Sequence, residues 1–169
     1  MFSGKTTYLI NYVTNYSKKY IVFSPSLDTR YGTNRIQTHD GKHITSVSID
    51  NLDEIIVASS EVDLVAFDEI QFFDLKLIDI LDTLSQQGKE ILLVGLEKDY
   101  LDNDFGLLPL LNLPEQNITR LTGSCNECNK PSTKTFRSHQ SSEKIELGSN
   151  DKYKSLCSTC YDKFTQHEY

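Results

Sequence analysis

Apolar residues recur along this chain in two ways, at a spacing of about 3.6 and as short continuous runs, and the two alternate. Leu9, Tyr12, Val13 and Tyr16 stand at helical spacing within residues 5–18. The run Tyr20-Ile21-Val22-Phe23 behind them predicts a buried strand, closed by Ser24, Pro25 and Ser26. Residues 28–42 are polar, rich in turn formers and without a sustained period, which predicts a long working loop. Strands are expected at 44–49 and 62–67, with a helix over 52–59 between them. From Asp74 the set Leu77, Ile80, Leu81 and Leu84 marks an amphipathic helix, with Asp74 as its cap and Gly88 at its close. A fourth strand is read at 91–94 and a further one at 117–121. Strands alternating with helices at these lengths imply a parallel sheet covered on both faces, an α/β class.

Composition narrows the function. With 169 residues and 38% hydrophobic content, the chain can bury one core plus a small appended unit that needs a staple of its own. Acidic residues outnumber basic ones, 24 to 17, for a formal net charge of −7. This balance argues against a broad nucleic-acid surface, because affinity for phosphate backbones comes from clustered Lys and Arg. An anionic ligand must therefore be met locally. No run approaches the roughly 18 to 20 apolar residues of a membrane span, and the first residues lack the pattern of a leader. The expectation is a cytoplasmic protein with neither membrane nor nucleic acid as partner. His39, His43, His139 and His167 lack metal-ligand spacing and read as surface residues.

All four cysteines fall late in the chain, as two CxxC pairs, Cys125/Cys128 and Cys157/Cys160. Two thiolates three positions apart on a tight turn can face one ion, and two such turns complete the tetrahedral sulfur cage that zinc prefers. Ordinary free thiols or a redox CxxC are the alternatives. The stretch 129–156 between the pairs is longer than the roughly 15–20 residues of common ribbons, which predicts an insertion there.

Near the start, Ser3-Gly4-Lys5-Thr6-Thr7 precedes a predicted helix. In a P-loop, amides at a helix N-terminus cradle phosphates, a lysine reaches the terminal phosphates, and a hydroxyl coordinates magnesium. Lys5 and Thr6 fit those roles. The full pattern asks for another glycine four positions before Gly4, with a strand ahead of it, and the sequence starts at Met1. Downstream, Leu64-Val65-Ala66-Phe67-Asp68-Glu69 is an apolar strand ending in two acids, which places carboxylates at the ligand-binding edge of a parallel sheet. Asp68 can hold magnesium, and Glu69 stands beside it to accept a proton from an attacking hydroxyl. An acid pair at a strand end is by itself more often a solvated feature or a cap; the paired Gly-Lys-Thr points to nucleotide chemistry.

Met1-Phe-Ser-Gly-Lys-Thr6, Asp28-Thr-Arg-Tyr31, Asp68-Glu-Ile-Gln-Phe-Phe73, Asp151-Lys-Tyr153 and Cys157-Ser-Thr-Cys-Tyr161 resemble, in order and spacing, the type II thymidine kinases. The resemblance spans essentially the whole chain, without the family's first strand and first P-loop glycine. It implies a P-loop parallel sheet flanked by helices over 1–120, and a small zinc-ribbon and lasso domain over 121–169. The implied reaction is transfer of the γ-phosphate of ATP to the 5′-hydroxyl of thymidine, with catalytic magnesium and structural zinc.

By the same resemblance, Glu69 is the catalytic base, and Ser3, Gly4, Lys5, Thr6, Thr7, Asp68 and Gln71 belong to the ATP and magnesium site. Arg30 and Arg137 are candidates for steadying phosphoryl charge, or ordinary surface arginines. Phe72, Leu96, Tyr100, Phe105 and Tyr153 match the nucleoside pocket, though plain core packing accounts for any one aromatic. A lasso over roughly 137–153, containing Gly148, would close that pocket and account for the long spacer. The family pattern departs at Glu97, Tyr100 and Ser149, where aspartate, phenylalanine and glycine are usual. A homotetramer and feedback by thymidine triphosphate are also implied. The alternatives are a nucleoside- or zinc-binding module with an incomplete P-loop, and a zinc-ribbon nucleic-acid protein, which the acidic balance disfavours.

Overall fold

A computed structural model of the chain describes residues 3–26, 35–38, 41–137 and 153–166. They divide into two compact units. One comprises Lys5–Glu97 and Phe105–Asn112; the other holds the described parts of Met1–Gly4, Lys98–Asp104 and Leu113–Tyr169.

The larger unit is built on four parallel strands: β1 (Tyr20–Pro25), β4 (Val47–Ile49), β5 (Leu64–Phe67) and β6 (Glu90–Leu93), in the order β4-β1-β5-β6. β5 is buried at all four positions, as its continuous apolar sequence requires of a strand covered on both faces. Its side chains alternate between two cores. Val65 and Phe67 join Phe23, Ile49, Ile55, Leu77, Leu81 and Leu84, so α2 (Glu54–Ala58) and α3 (Leu77–Gln86) cover one face. Leu64 and Ala66 join Leu9, Ile10, Val13, Val22, Ile36 and Ile44, so α1 (Lys5–Thr14) and the hairpin β2 (Arg35–Gln37) and β3 (His43–Thr45) cover the other. The expected α/β sheet with helices on both faces is what forms.

Local chemistry adjusts several boundaries. α1 stops at Thr14 instead of running to 18, because the Thr14 hydroxyl donates to the Ile10 carbonyl (2.7 Å) and the Asn15 side-chain amide to the Asn11 carbonyl (2.8 Å). The strand expected over 44–49 is two strands. Buried Ser46, with Oγ 3.2 Å from that of Ser24, separates β3, antiparallel to β2, from β4, parallel to β1. β2 likewise occupies part of the predicted loop. Asp74 does not cap α3 directly; its carboxylate accepts the Lys76 N–H (2.9 Å), and Lys76 holds the cap position. Gly88 closes α3 as expected. At φ 73° it lets Gly88 N–H reach Ser85 O (2.9 Å) and Lys89 N–H reach Leu84 O (3.1 Å), the two bonds of a Schellman motif.

No strand forms over 117–121. Pro114 starts a 3-10 turn over Glu115–Asn117, and among the described residues no strand pairs with Ile118–Leu121.

The smaller unit has two antiparallel ribbons, β7 (Gly123–Ser124) with β8 (Pro131–Ser132), and β9 (Lys134–Arg137) with β10 (Tyr153–Leu156), and ends in α4 (Ser158–Gln166). Phe136, Leu156 and Cys125 are its buried centre, with Tyr161 and Phe164 packed against them. Among the described residues no helix is long and apolar enough to cross a membrane.

The C-terminal half of α1 is tied to the start of β6, where the Tyr12 and Tyr16 hydroxyls both donate to the Glu90 carboxylate. The bond to Glu90, helped by burial and by the nearby negative charge, raises the Tyr12 phenol from 10.0 to about 12. A phenol held protonated beyond its unfolded value contributes fully below pH 10.0, and its contribution is lost as pH rises toward about 12. Denaturant melts at stepped pH are expected to show this loss in the parent and a flatter curve in Tyr12→Phe.

Candidate active site and metal centre

The acid pair sits where β5 leaves the sheet. Asp68 is buried, and its N–H donates to Phe23 O of β1 (2.9 Å). Two residues on, Ile70 N–H donates to Val94 O, just past β6 (3.0 Å). Between these anchors Glu69 takes a left-handed backbone, φ 50° and ψ 44°. For a side chain with a Cβ this conformation costs about 1 kcal/mol or more, and such strain is concentrated at functional positions.

The half-buried Glu69 carboxylate accepts a hydrogen bond from Gln71 Nε2 (2.6 Å). Gln71 Oε1 in turn accepts the Leu96 N–H (2.9 Å). Two glycines make room for this arrangement, and neither was singled out by sequence reasoning. A Cβ on Gly95 would lie 2.5 Å from Ile70 Cγ2 and 2.6 Å from Gln71 Oε1; one on Gly106 would lie 2.4 Å from Gln71 Cα. The sequence signal was present as a glycine after an apolar strand, Val94-Gly95, and one after an aromatic, Phe105-Gly106.

The direction of α1 is set by its ties to Glu90. Its C-terminal half lies at the edge where β6 begins, so its N-terminus points toward the opposite edge, where Asp68 and Glu69 emerge. Lys5, Thr6 and Thr7 form the first turn, half-buried, with amides that the helix itself leaves unsatisfied. Gly4 precedes them at φ 78°, a conformation suited to glycine. The chain thus directs a helix N-terminus, whose free amides suit an anion, and two carboxylates toward one edge of one sheet.

In the smaller unit the four cysteine sulfurs lie within 4.8 Å of one another, and none is in a disulfide. Cys128 and Cys157 Sγ are 3.6 Å apart. A disulfide holds its sulfurs at about 2.0 Å. Tetrahedral zinc at about 2.3 Å from each sulfur sets them about 3.8 Å apart, so the donor set fits zinc. The cage is built by backbone: Cys125 N–H donates to Lys130 O (2.7 Å), Asn129 N–H to Cys125 O (2.9 Å), and Asn129 turns the first knuckle at φ 59°. Asn126 links the knuckles, its N–H donating to Ser155 O (2.8 Å) and its Oδ1 accepting Ser155 N–H (2.7 Å). Burial opposes ionisation of Cys125, but amide donors from Cys157, Glu127 and Cys128 prevail and bring its thiol down to about 6. Hydrogen bonds with the Cys128 and Cys157 sulfurs push Cys160 up to about 12.

Comparison with known proteins gives the family. A family model for thymidine kinase matches residues 1–161. The thymidine kinase of Porphyromonas gingivalis is 34% identical over 166 residues, covering 96% of this chain and 81% of the relative. That of Bacteroides fragilis is 32% identical over 171 residues, covering 99% and 86%. That of Pseudothermotoga lettingae is 36% identical over 168 residues, covering 96% and 91%. This chain belongs to the thymidine kinase family. Membership implies use of ATP and a nucleoside substrate.

Of the residues expected in the nucleoside pocket of a thymidine kinase, Phe72 and Phe105 meet edge-to-face in the larger unit, ring centres 5.7 Å apart and planes at 87°. Leu96 is joined to them through Gln71, which precedes Phe72. In the smaller unit Arg137 is buried, its guanidinium 5.2 Å from the Tyr100 ring centre and 6.0 Å from that of Tyr153. It is therefore no ordinary surface arginine. Tyr153 pairs with Arg137 across β9 and β10, and the Tyr100 carbonyl accepts the Tyr161 hydroxyl (3.4 Å). Arg30, Gly148 and most of the expected lasso lie outside the described residues.

Gly106→Ala forces a Cβ onto backbone atoms at a positive φ, and a loss of about 1–3 kcal/mol is expected in denaturant melts. Metal analysis of the purified protein is expected to give about one zinc per chain, and Cys160→Ser to lose it together with the folding of the smaller unit.

Proposed function

We infer that this protein is a thymidine kinase that transfers the γ-phosphoryl group of ATP to the 5′-hydroxyl of thymidine, giving thymidine monophosphate for nucleotide salvage. The observation that carries the reading is the acid pair leaving β5, with Asp68 buried and Glu69 turned out by its left-handed backbone. Phosphoryl transfer asks little covalent chemistry of a protein; it asks for a proton acceptor, charge stabilisation and alignment. Glu69 accepts the 5′-hydroxyl proton as that oxygen attacks the γ-phosphorus, and the bond to the bridging oxygen breaks with its electrons leaving on ADP.

Lys5 and the first-turn amides of α1, with Ser3, Gly4 and Thr7, hold the phosphates. Arg30 steadies the transferring charge. The Thr6 hydroxyl and Asp68 carboxylate are hard oxygen donors suited to magnesium, which would neutralise charge between the phosphates. Phe72, Leu96 and Phe105 are the nucleoside-contacting residues of the larger unit and Tyr100, Gly148 and Tyr153 those of the smaller, where Arg137 supports the two tyrosines.

In functional terms, residues 1–120 carry phosphoryl transfer and 121–169 carry zinc and the lasso. The enzyme assembles as a homotetramer and works in the cytoplasm, where a reducing medium keeps thiolates available to zinc.

The test is thymidine phosphorylation by the purified chain with ATP and magnesium. Glu69→Gln is expected to lower kcat about 100- to 10,000-fold with zinc content unchanged. A parent chain without turnover that still holds zinc would point instead to a nucleoside- or zinc-binding module.

A further inference from the structure

Gln71 stands at 5% exposure with each end of its side-chain amide engaged, one to Glu69 and one to the Leu96 backbone. Its orientation is dictated by its partners. The Leu96 N–H can only donate and the Glu69 carboxylate accepts, so Oε1 faces Leu96 and Nε2 faces Glu69. No other residue of this length offers a donor and an acceptor side by side in one plane; a carboxylate serves only Leu96, and a thioether serves neither.

The side chain is also gripped mechanically. Gly95 leaves room for its Oε1, and Gly106 lies against its Cα, Cβ and carbonyl at distances where any Cβ would collide. Gln71 therefore cannot shift without moving the segment after β6 or the 105–106 backbone.

We propose that Gln71 is a positioning residue that locks the Glu69 carboxylate in its reactive orientation, by transmitting the rigidity of the β6 end to it through a single amide. This rests on the reading of Glu69 as the base. It gives Gln71 a different task from direct contact with the nucleotide. A left-handed residue between two anchored neighbours presents a side chain with several rotatable bonds, and a carboxylate that swings loses the alignment on which rate depends. The amide restricts that freedom.

The experiment compares Gln71→Met and Gln71→Glu, each alone and combined with Glu69→Gln, reading kcat, KM for thymidine and for ATP, zinc content and thermal melting. Gln71→Glu keeps the acceptor toward Leu96 and replaces the donor toward Glu69 with a like charge, so if Gln71→Met fails to fold it decides the matter through its pH profile. The fall in kcat is expected to persist at high pH, where both carboxylates are ionised and no donor faces Glu69, and full recovery there would overturn the proposal. The expected result is a fall in kcat of about 10- to 100-fold in single variants that stay folded and zinc-loaded, with both KM values within about twofold of the parent. In the Glu69→Gln background the same changes are expected to add nothing, because Gln71 acts only through that carboxylate. A full multiplicative loss in that background, or a raised KM for ATP with kcat unchanged, would overturn the role of Gln71 while leaving Glu69 as the base. Undiminished turnover in Glu69→Gln itself would overturn both.

Discussion

Backbone hydrogen bonding among β1, β5 and β6 continues past the strand ends: Asp68 N–H reaches Phe23 O, Val94 N–H reaches Phe67 O, and Ile70 N–H returns to Val94 O. These bonds hold the chain on both sides of Glu69 and leave that residue a left-handed conformation. The strain is supported by a strand buried on both faces, whose burial contributes roughly 1.5–3 kcal/mol for each large apolar side chain. Position of the acid pair, orientation of Gln71 and close approach of Gly95 and Gly106 all depend on that parallel register.

The smaller unit solves a different problem. Its buried apolar centre is Phe136 and Leu156 around Cys125, with Tyr161 and Phe164 against it, too little to hold two short ribbons and one helix by hydrophobic burial alone. Zinc held by the four sulfurs would supply the missing stabilisation, because such a site does not exist in the unfolded chain. The same unit places Arg137 against two tyrosine rings, where a cation is favoured by the faces of the aromatics. Sequence alone left that arginine open between a charge-steadying role and a surface one, and burial removes the second reading.

Much of this architecture was legible in the amino-acid order. Four strands of the sheet, the helices on its two faces, the Gly88 stop and the pairing of the cysteine knuckles each rest on local signals: period, a positive-φ glycine, ligand spacing. The misreadings share a cause. Residues 44–49 are apolar enough for one strand, yet the partner changes at Ser46, and 117–121 has strand composition with no partner among the described residues. Strand identity is a property of pairing, which single-chain pattern does not contain.

By itself, then, the sequence determined the family, the sulfur ligand set and the identity of the acids at the end of β5, because each is written in short local motifs whose order along the chain is enough to recognise them. Tertiary structure alone decided that Gln71 spans Glu69 and Leu96, that Gly95 and Gly106 close on it, and that Arg137 lies between Tyr100 and Tyr153. Apart from Gln71 with Glu69, those contacts join residues well separated in sequence, so they exist only once strand register and core packing have brought the segments together.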